Sequence, residues 1–256
     1  MKFTELDRAM RVYETSHDQF VVPGVYVVAR IDGRNFTRLA RELQHFEAPY
    51  DPRFRDLMVQ TTLQLMTVGF QVLYANTHSD EINLLISPRD ETFGRKTRKW
   101  LSVLAGEASS RFSVGLGSAA AFDARLCELP NPEAVVDYFR WRQEDADRNA
   151  LNAHCYWKLR AEGQDAQGAT QILHGMSVSA KHDMLFARGI NFNDLPNWQK
   201  RGVGVAWATA ETTGTHPLTG ESIVSARRHP EVLWDLPMHD DYSAFVRAVL
   251  AGTPQD

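Results

Sequence analysis

Cysteine is scarce in this chain: Cys127 and Cys155 are the only two among 256 residues. Two thiols so far apart make neither a zinc signature nor a disulfide framework, which excludes a small stapled secreted fold. No apolar run is long enough to span a bilayer. The chain opens Met1-Lys2-Phe3-Thr4-Glu5, polar where a secretory leader would be hydrophobic. A cationic excess is missing as well, since 28 Lys and Arg against 32 Asp and Glu leave a net charge of −4. Nucleic acid is therefore not coated through bulk charge, and only local basic patches remain. There is no repeat, no low-complexity tract, no Walker lysine motif, no G-x-S-x-G elbow and no H-E-x-x-H helix. Composition is otherwise ordinary, 43% hydrophobic and 23% charged, enough for one large domain or a compact domain with an appended lobe. The expectation is a cytoplasmic globular protein with reduced thiols and no membrane segment.

Phe3, Leu6, Met10 and Tyr13 follow helical spacing. After Pro23-Gly24 the run Val25–Ile31 predicts a buried strand, followed by Asp32-Gly33 and a helix from about Asn35 to Glu42. Phe54, Leu57, Met58, Thr61 and Leu65 mark a second helix that stops by Gly69. Phe70–Ala75 predicts a strand, Asn76–Asp80 a wide polar connection, and Glu81–Ile86 a returning strand. Phe93 to Ala108 carries a helical stripe, and the Gly/Ala/Ser-rich Phe112–Phe122 is expected as a strand. Asn131-Pro132-Glu133 starts a long helix through Trp157, and Ser177 caps another through Phe186. The tail holds strand-like GVGVAW and ESIVSARR and a last helix near Tyr242–Leu250. The order β-α-(α)-β-β-α-β predicts an α+β, ferredoxin-like core in residues ~20–130, with an α-rich lobe behind it.

Two acidic sites fall at matching places in that core. Asp32 ends one strand, and Asp80 and Glu81 open the return of the hairpin. If these strands are neighbours, the carboxylates meet at one edge, where each raises the other's pKa unless a cation lies between them. Hard oxygen ligands of this kind suit Mg²⁺, with phosphate oxygens completing its shell, and two such ions serve phosphoryl transfer. Gly33 lets a phosphate or metal approach the backbone, and the amides of Arg34, Asn35 and Phe36 open a helix able to cradle a triphosphate. The plainer alternative is a common strand-to-helix turn and a solvated hairpin tip. Arg95, Lys96, Arg98 and Lys99 lie beside Phe93 and Trp100, either a phosphate-binding patch or a solvated helix face. His78 is a candidate phosphate contact, whereas His154 beside Cys155 is expected to pack.

Arg30–Phe36 (RIDGRNF) and His78–Ile86 (HSDEINLLI) resemble the tRNA-His guanylyltransferase family and its guanylyltransferase-like, 3′-to-5′ polymerase relatives. Phe93–Trp100, Ala120–Pro130, Tyr138–Asn152 and Ala180–Val203 fit in the same order, so the resemblance covers about residues 1–210. It implies a polymerase-like palm in residues 1–130, with residues 131–256 a helical lobe and C-terminal extension packed on it. Asp32 and Asp80 then correspond to the metal-binding carboxylates of a two-Mg²⁺ site, with Gly33 as a further ligand and Glu81 a catalytic carboxylate beside them. Gly33, Arg34, Asn35, Phe36 and Ser79 correspond to a nucleotide site for ATP, GTP and other NTPs, with Phe46, Glu47 and Asp51 at the base. Arg30, Lys96, Lys99, Arg125 and Lys181 correspond to phosphate and tRNA contacts, and the family implies a homotetramer.

The chain departs from the family at two places. Ala48-Pro49-Tyr50-Asp51 replaces a lysine-proline-asparagine-aspartate run, and Asp147-Arg148-Asn149-Ala150-Leu151 replaces a histidine-isoleucine-asparagine-asparagine-leucine motif. Both departures are similar to the guanylyltransferase-like branch, which repairs 5′-truncated tRNA. The rival expectations are a nucleotide cyclase on the same palm and a non-catalytic tRNA-binding protein. The first is disfavoured by His78-Ser79-Asp80-Glu81 where cyclases carry glycine-glycine-aspartate-glutamate, the second by clustered carboxylates that would repel RNA.

Overall fold

The computed structural model describes residues 2–215 and 222–252. Its centre is a six-stranded antiparallel sheet in the order β4-β1-β3-β2-β5-β6. The strands are β1 (Tyr26–Gly33), β2 (Val72–His78), β3 (Glu81–Ile86), β4 (Phe122–Leu129), β5 (Val203–Thr215) and β6 (Ser222–Leu233). The helices, in chain order, are α1 (Phe3–Thr15), α2 (Phe36–Arg38), α3 (Pro52–Leu65), α4 (Thr97–Leu116) and α5 (Pro132–Ala161), then α6 (Ala166–Leu173), α7 (Val178–Phe186), α8 (Asn197–Arg201) and α9 (His239–Ala251). No helix among the described residues is long and apolar enough to cross a membrane.

Side-chain alternation along β1 divides the sheet's two faces. Val27, Ala29 and Ile31 pack with Met58 and Leu65 of α3 and Trp100, Leu104 and Phe112 of α4. On the opposite face Val28 packs with Leu85, Tyr74, Val135 and Phe139 of α5, and Tyr242 and Val246 of α9. That second face changes character along the strands. Val28 pairs with Leu85 and Leu85 with Tyr74, all apolar; Arg30 pairs with Asn83 and Asn83 with Asn76; Asp32 pairs with Glu81 and Glu81 with His78. The same α5-facing surface thus runs from a dry core to a charged rim at the hairpin end.

Several expected elements form as read. Asn131 Oδ1 accepts from the Ala134 amide with Pro132 in the first turn of α5, and Ser177 caps α7. Others differ for physical reasons. Phe112–Phe122 is not a strand: α4 continues to Leu116 because Phe112 buries into the core, and Gly117 ends it at φ 75°. The strand is the following segment, β4. The hairpin tip is also tighter than expected, because Asn76 and Thr77 are buried β2 residues and only Ser79-Asp80 turns, with Ser79 at φ 53°. The helix expected over residues 35–42 is the short α2 followed by a π-helical turn, Leu39–Leu43. The stripe from Phe93 opens with a 3₁₀ turn, Thr92–Arg95, before α4. The two tail runs are one long hairpin, β5 and β6, hydrogen-bonded to β2 and extending the core sheet; Glu221 lies outside the described residues.

Candidate active site

Asp32 stands at the end of β1 and Asp80 on the β2–β3 turn, and the Gly33 amide donates to the Asp80 carbonyl over 3.0 Å. One backbone bond therefore ties the strand end to the hairpin tip. Both carboxylates are half-buried. Burial pushes the Asp80 carboxyl up to about 6, with the Asp32 charge adding to the rise. Asp32 is also raised, first by burial and then by Glu81 and Asp123, against the pull of Arg30 and Arg125. Its arginine contacts are loose, 3.4 Å to Arg30 and 3.7 Å to Arg125.

Glu81 is held quite differently. Its oxygens take Arg30 at 2.6 Å, Arg142 Nη2 at 2.7 Å and Nε at 2.8 Å, and Asn83 Nδ2 at 2.8 Å. A carboxylate so compensated positions two guanidinium groups and has little charge left to offer a metal. Among the described residues no group of three or more His, Cys, Asp or Glu side chains is assembled as a metal cage. Asp32 and Asp80 fit a magnesium site nonetheless, because Mg²⁺ is commonly held by one or two carboxylates and completed by substrate phosphates and water.

Between this rim and α5 lies a polar cavity of about 340 Å³, walled by Arg30, Asn76 and Asn83 from the sheet and Arg142, Asp145 and Asn149 from the helix. The α5 residues were not singled out from sequence. Their spacing of three and four along a helix is the signal that could have found them. A second cavity of about 210 Å³ opens on the other side of Asp80, between Phe36, Thr37, Ala40 and Trp157.

The remaining expected residues divide. Gly33 ends β1, and a methyl there would stand 2.5 Å from the Phe36 ring. The Arg34 amide donates to the Ala121 carbonyl at 2.8 Å and so continues the sheet. Asn35 takes the left-handed conformation, φ 59°, and Phe36 is buried against Phe54, Phe112 and Phe122, leaving only its backbone for ligand. Ser79 donates to Asp80 Oδ1 at 3.2 Å. Phe46 packs on Phe54 and under Arg53. The carbonyls of Phe46, Glu47 and Pro49 all accept from Arg41, so the 46–49 segment is pinned beside the second cavity.

Asp51 is only 4% exposed and caps α3, accepting from the amides of Arg53 and Glu47 and pairing with the Arg53 guanidinium at 2.6 Å. These bonds, that to the Arg53 side chain above all, hold its carboxyl down at about 2. Arg125 lies opposite Arg30 across the strand pair. Lys181 reaches Asn152 at 3.0 Å on the outer side of α5. Lys96 and Lys99 stand at the start of α4. Lys96 pairs with Asp18 at 3.0 Å and lies at the N-terminus of the 20-residue α4, whose other end leads to the Asp32 rim. That helix spans about 30 Å.

His78 and His154 both bond Gln199, through its carbonyl at 2.9 Å and its side chain at 3.0 Å, with Tyr50 packed on both rings. Burial lowers both histidines and favours their neutral form, and His78 also lines the polar cavity.

An antiparallel sheet backed by helices on both faces, with paired carboxylates at the end of its central hairpin, is the frame of a palm-type nucleotidyltransferase. Comparison with known proteins is specific. Residues 7–130 match the tRNAHis guanylyltransferase family model and residues 133–232 the model of that family's C-terminal domain. The tRNA(His) guanylyltransferase of Schizosaccharomyces pombe is 31% identical over 192 residues, covering 71% of this chain and 73% of the relative. The crystal structure of the Saccharomyces cerevisiae tRNA(His) guanylyltransferase aligns with a TM-score of 0.70 at 25% identity, over 76% of this chain and 91% of its own. A bacterial tRNA(His) guanylyltransferase (Thg1)-like protein in complex with ATP shares the fold with a TM-score of 0.73 at 24% identity, over 95% of this chain and 98% of its own. The chain belongs to the tRNA-His guanylyltransferase family.

Proposed function

We infer that the reaction is templated repair of 5′-truncated tRNA. The enzyme is a nucleotidyltransferase that adds nucleotides to the 5′ end of tRNA in the 3′-to-5′ direction. The observation that carries the reading is the convergence of Asp32 and Asp80 at the hairpin end, two half-buried carboxylates with raised pKa and no tight cationic partner. Asp32 and Asp80 would hold magnesium. When bound, Mg²⁺ lowers the pKa of the attacking hydroxyl and balances charge on the leaving group.

The 5′-monophosphate is first activated by ATP, with release of pyrophosphate. The 3′-hydroxyl of the incoming NTP then attacks the 5′ phosphorus and AMP leaves. This chain's residues orient these groups. Glu81 sets Arg30 and Arg142 along one wall, and Arg41 fixes the 46–49 segment on the other. Nothing in this arrangement needs to read a base closely, which suits selection by pairing with the opposite strand. Asp147 supports repair over strict tRNA-His guanylylation. Burial raises the carboxyl of this residue, which replaces the family histidine, against the pull of Arg201 and Lys200. The same reading includes a cytoplasmic setting and a homotetramer, which mass measurement in solution tests directly.

The test uses a 5′-monophosphorylated tRNA lacking its first nucleotide, with ATP, four NTPs and Mg²⁺, beside full-length tRNA-His. Extension by the templated base, lost in Asp32→Ala, is expected. Addition to full-length tRNA-His alone would replace repair by guanylylation, and an active Asp32→Ala would remove the metal site.

A further inference from the structure

On the far side of the Gly33–Asn35 turn from Asp80 lies a groove of about 350 Å³, as roomy as the active-site cavity. Leu39, Ala119 and Ala121 give it an apolar floor, and Arg34 and Arg38 line its edge. No acidic side chain lines it, whereas Asp32, Asp80, Glu81 and Asp145 all line the active-site cavity. The Arg34 guanidinium takes no ion-pair partner among the described residues, and Arg38 is held by exposed Glu42 alone at 3.2 Å.

The groove is built, not incidental. The Arg34 amide ties the end of β1 to Ala121, and Gln44 Nε2 donates to Ser118 Oγ at 3.0 Å, fastening the two banks together. The π-helical turn Leu39–Leu43 forms one bank and leaves Leu43 62% exposed at its mouth. Turns of this kind recur at functional sites.

We propose that this groove binds single-stranded RNA, the unpaired 3′-terminal nucleotides of the acceptor stem whose 5′ end is being extended. The inference rests on the repair reading above. When the 5′ terminus is at Asp32 and Asp80, the opposite strand runs past the last base pair as unpaired nucleotides, and the groove begins one turn of chain away. An apolar floor packs against the face of a base, and Arg34, with Arg38 beside it, neutralises the phosphates. A free nucleotide would use the same chemistry, but the groove is open along its length and suits a continuing strand.

The test compares one 5′-truncated tRNA in two forms, with its 3′ overhang intact and trimmed to a blunt end. Binding of both forms is measured by fluorescence anisotropy, and the KM for NTP on the overhang form, which alone carries a templating base. Wild type is expected to bind the overhang form about tenfold more tightly. Ala121→Glu and Leu43→Ser, both exposed positions, are expected to erase that difference while leaving blunt RNA binding and the KM for NTP unchanged. Equal affinity of wild type for both RNAs overturns the inference. So does equal weakening of both by the variants, or a raised KM for NTP, which would give the groove to a nucleotide. Overhang-dependent binding without extension of either RNA would keep the groove and reject the repair reading.

Discussion

Asp80 ionises with difficulty in the folded chain, up at about 6, because burial removes water from its carboxylate and Asp32 repels the charge. A raised folded-state pKa means that the native state holds the proton more tightly than the unfolded chain. Stability from this group is therefore full below about pH 4 and is lost as pH rises through about 6. Asp80→Asn is expected to stabilise the metal-free protein at pH 7.5 by about 2 kcal/mol, or about 3–6 °C in Tm, and to change nothing at pH 4. Activity is lost in the same variant. Thermal melts at the two pH values check this, and millimolar Mg²⁺ is expected to shrink the gap. Glu81 behaves oppositely, since Glu81→Gln removes the carboxylate that Arg30 and Arg142 share. It is expected to cost about 2–4 kcal/mol, read as a lower urea midpoint at neutral pH. A stabilising and a destabilising carboxylate deletion at adjacent positions would separate the functional side chain from the one that arranges its neighbours.

At the scale of elements, the join between β1 and α2 depends on Gly33 lying under the Phe36 ring. Gly33→Ala is expected to displace that ring from its contacts with Phe54, Phe112 and Phe122, at a cost of about 2–3 kcal/mol. Combining it with Phe36→Leu is expected to cost less than the sum of the two single changes, because the clash is shared. A denaturant series on the four proteins measures the coupling. The same join shows what local sequence can and cannot reveal. The apolar run before Asp32, the Asn131-Pro132 cap and the β3 return are local signals, and they were legible. Phe112–Phe122 was misread because Gly, Ala and Ser carry little pattern, and burial of Phe112 decides the helix. Asp51-Pro52 has the form of a helix cap, a further local signal, and it caps α3. The Glu81–Arg142 contact joins residues 61 apart, and the distance between Lys96 and the rim is set by the length of α4. No periodicity reports either one.

At the scale of the molecule, the proposed palm of residues 1–130 does not close its own sheet. β2 pairs with β5, and the face carrying Val28, Leu85 and Tyr74 is covered by α5 and α9. We therefore propose that residues 131–256 divide labour with the palm while folding with it as one cooperative unit. A fragment ending at residue 130 is expected to be insoluble alone and recovered on co-expression with the remainder, and the whole chain to melt in a single calorimetric transition. The sheet's outer strands carry one more consequence. β4 and β6 are its two borders, and an unpaired border invites another chain to add on. β4 shows Asp123 and Arg125 there, and β6 carries Arg227, Arg228, Pro230 and Glu231. Charged side chains resist being desolvated against a second copy, and proline lacks the amide that a growing ladder needs. Such borders are expected to act as brakes on fibril growth, which light scattering of the concentrated protein checks.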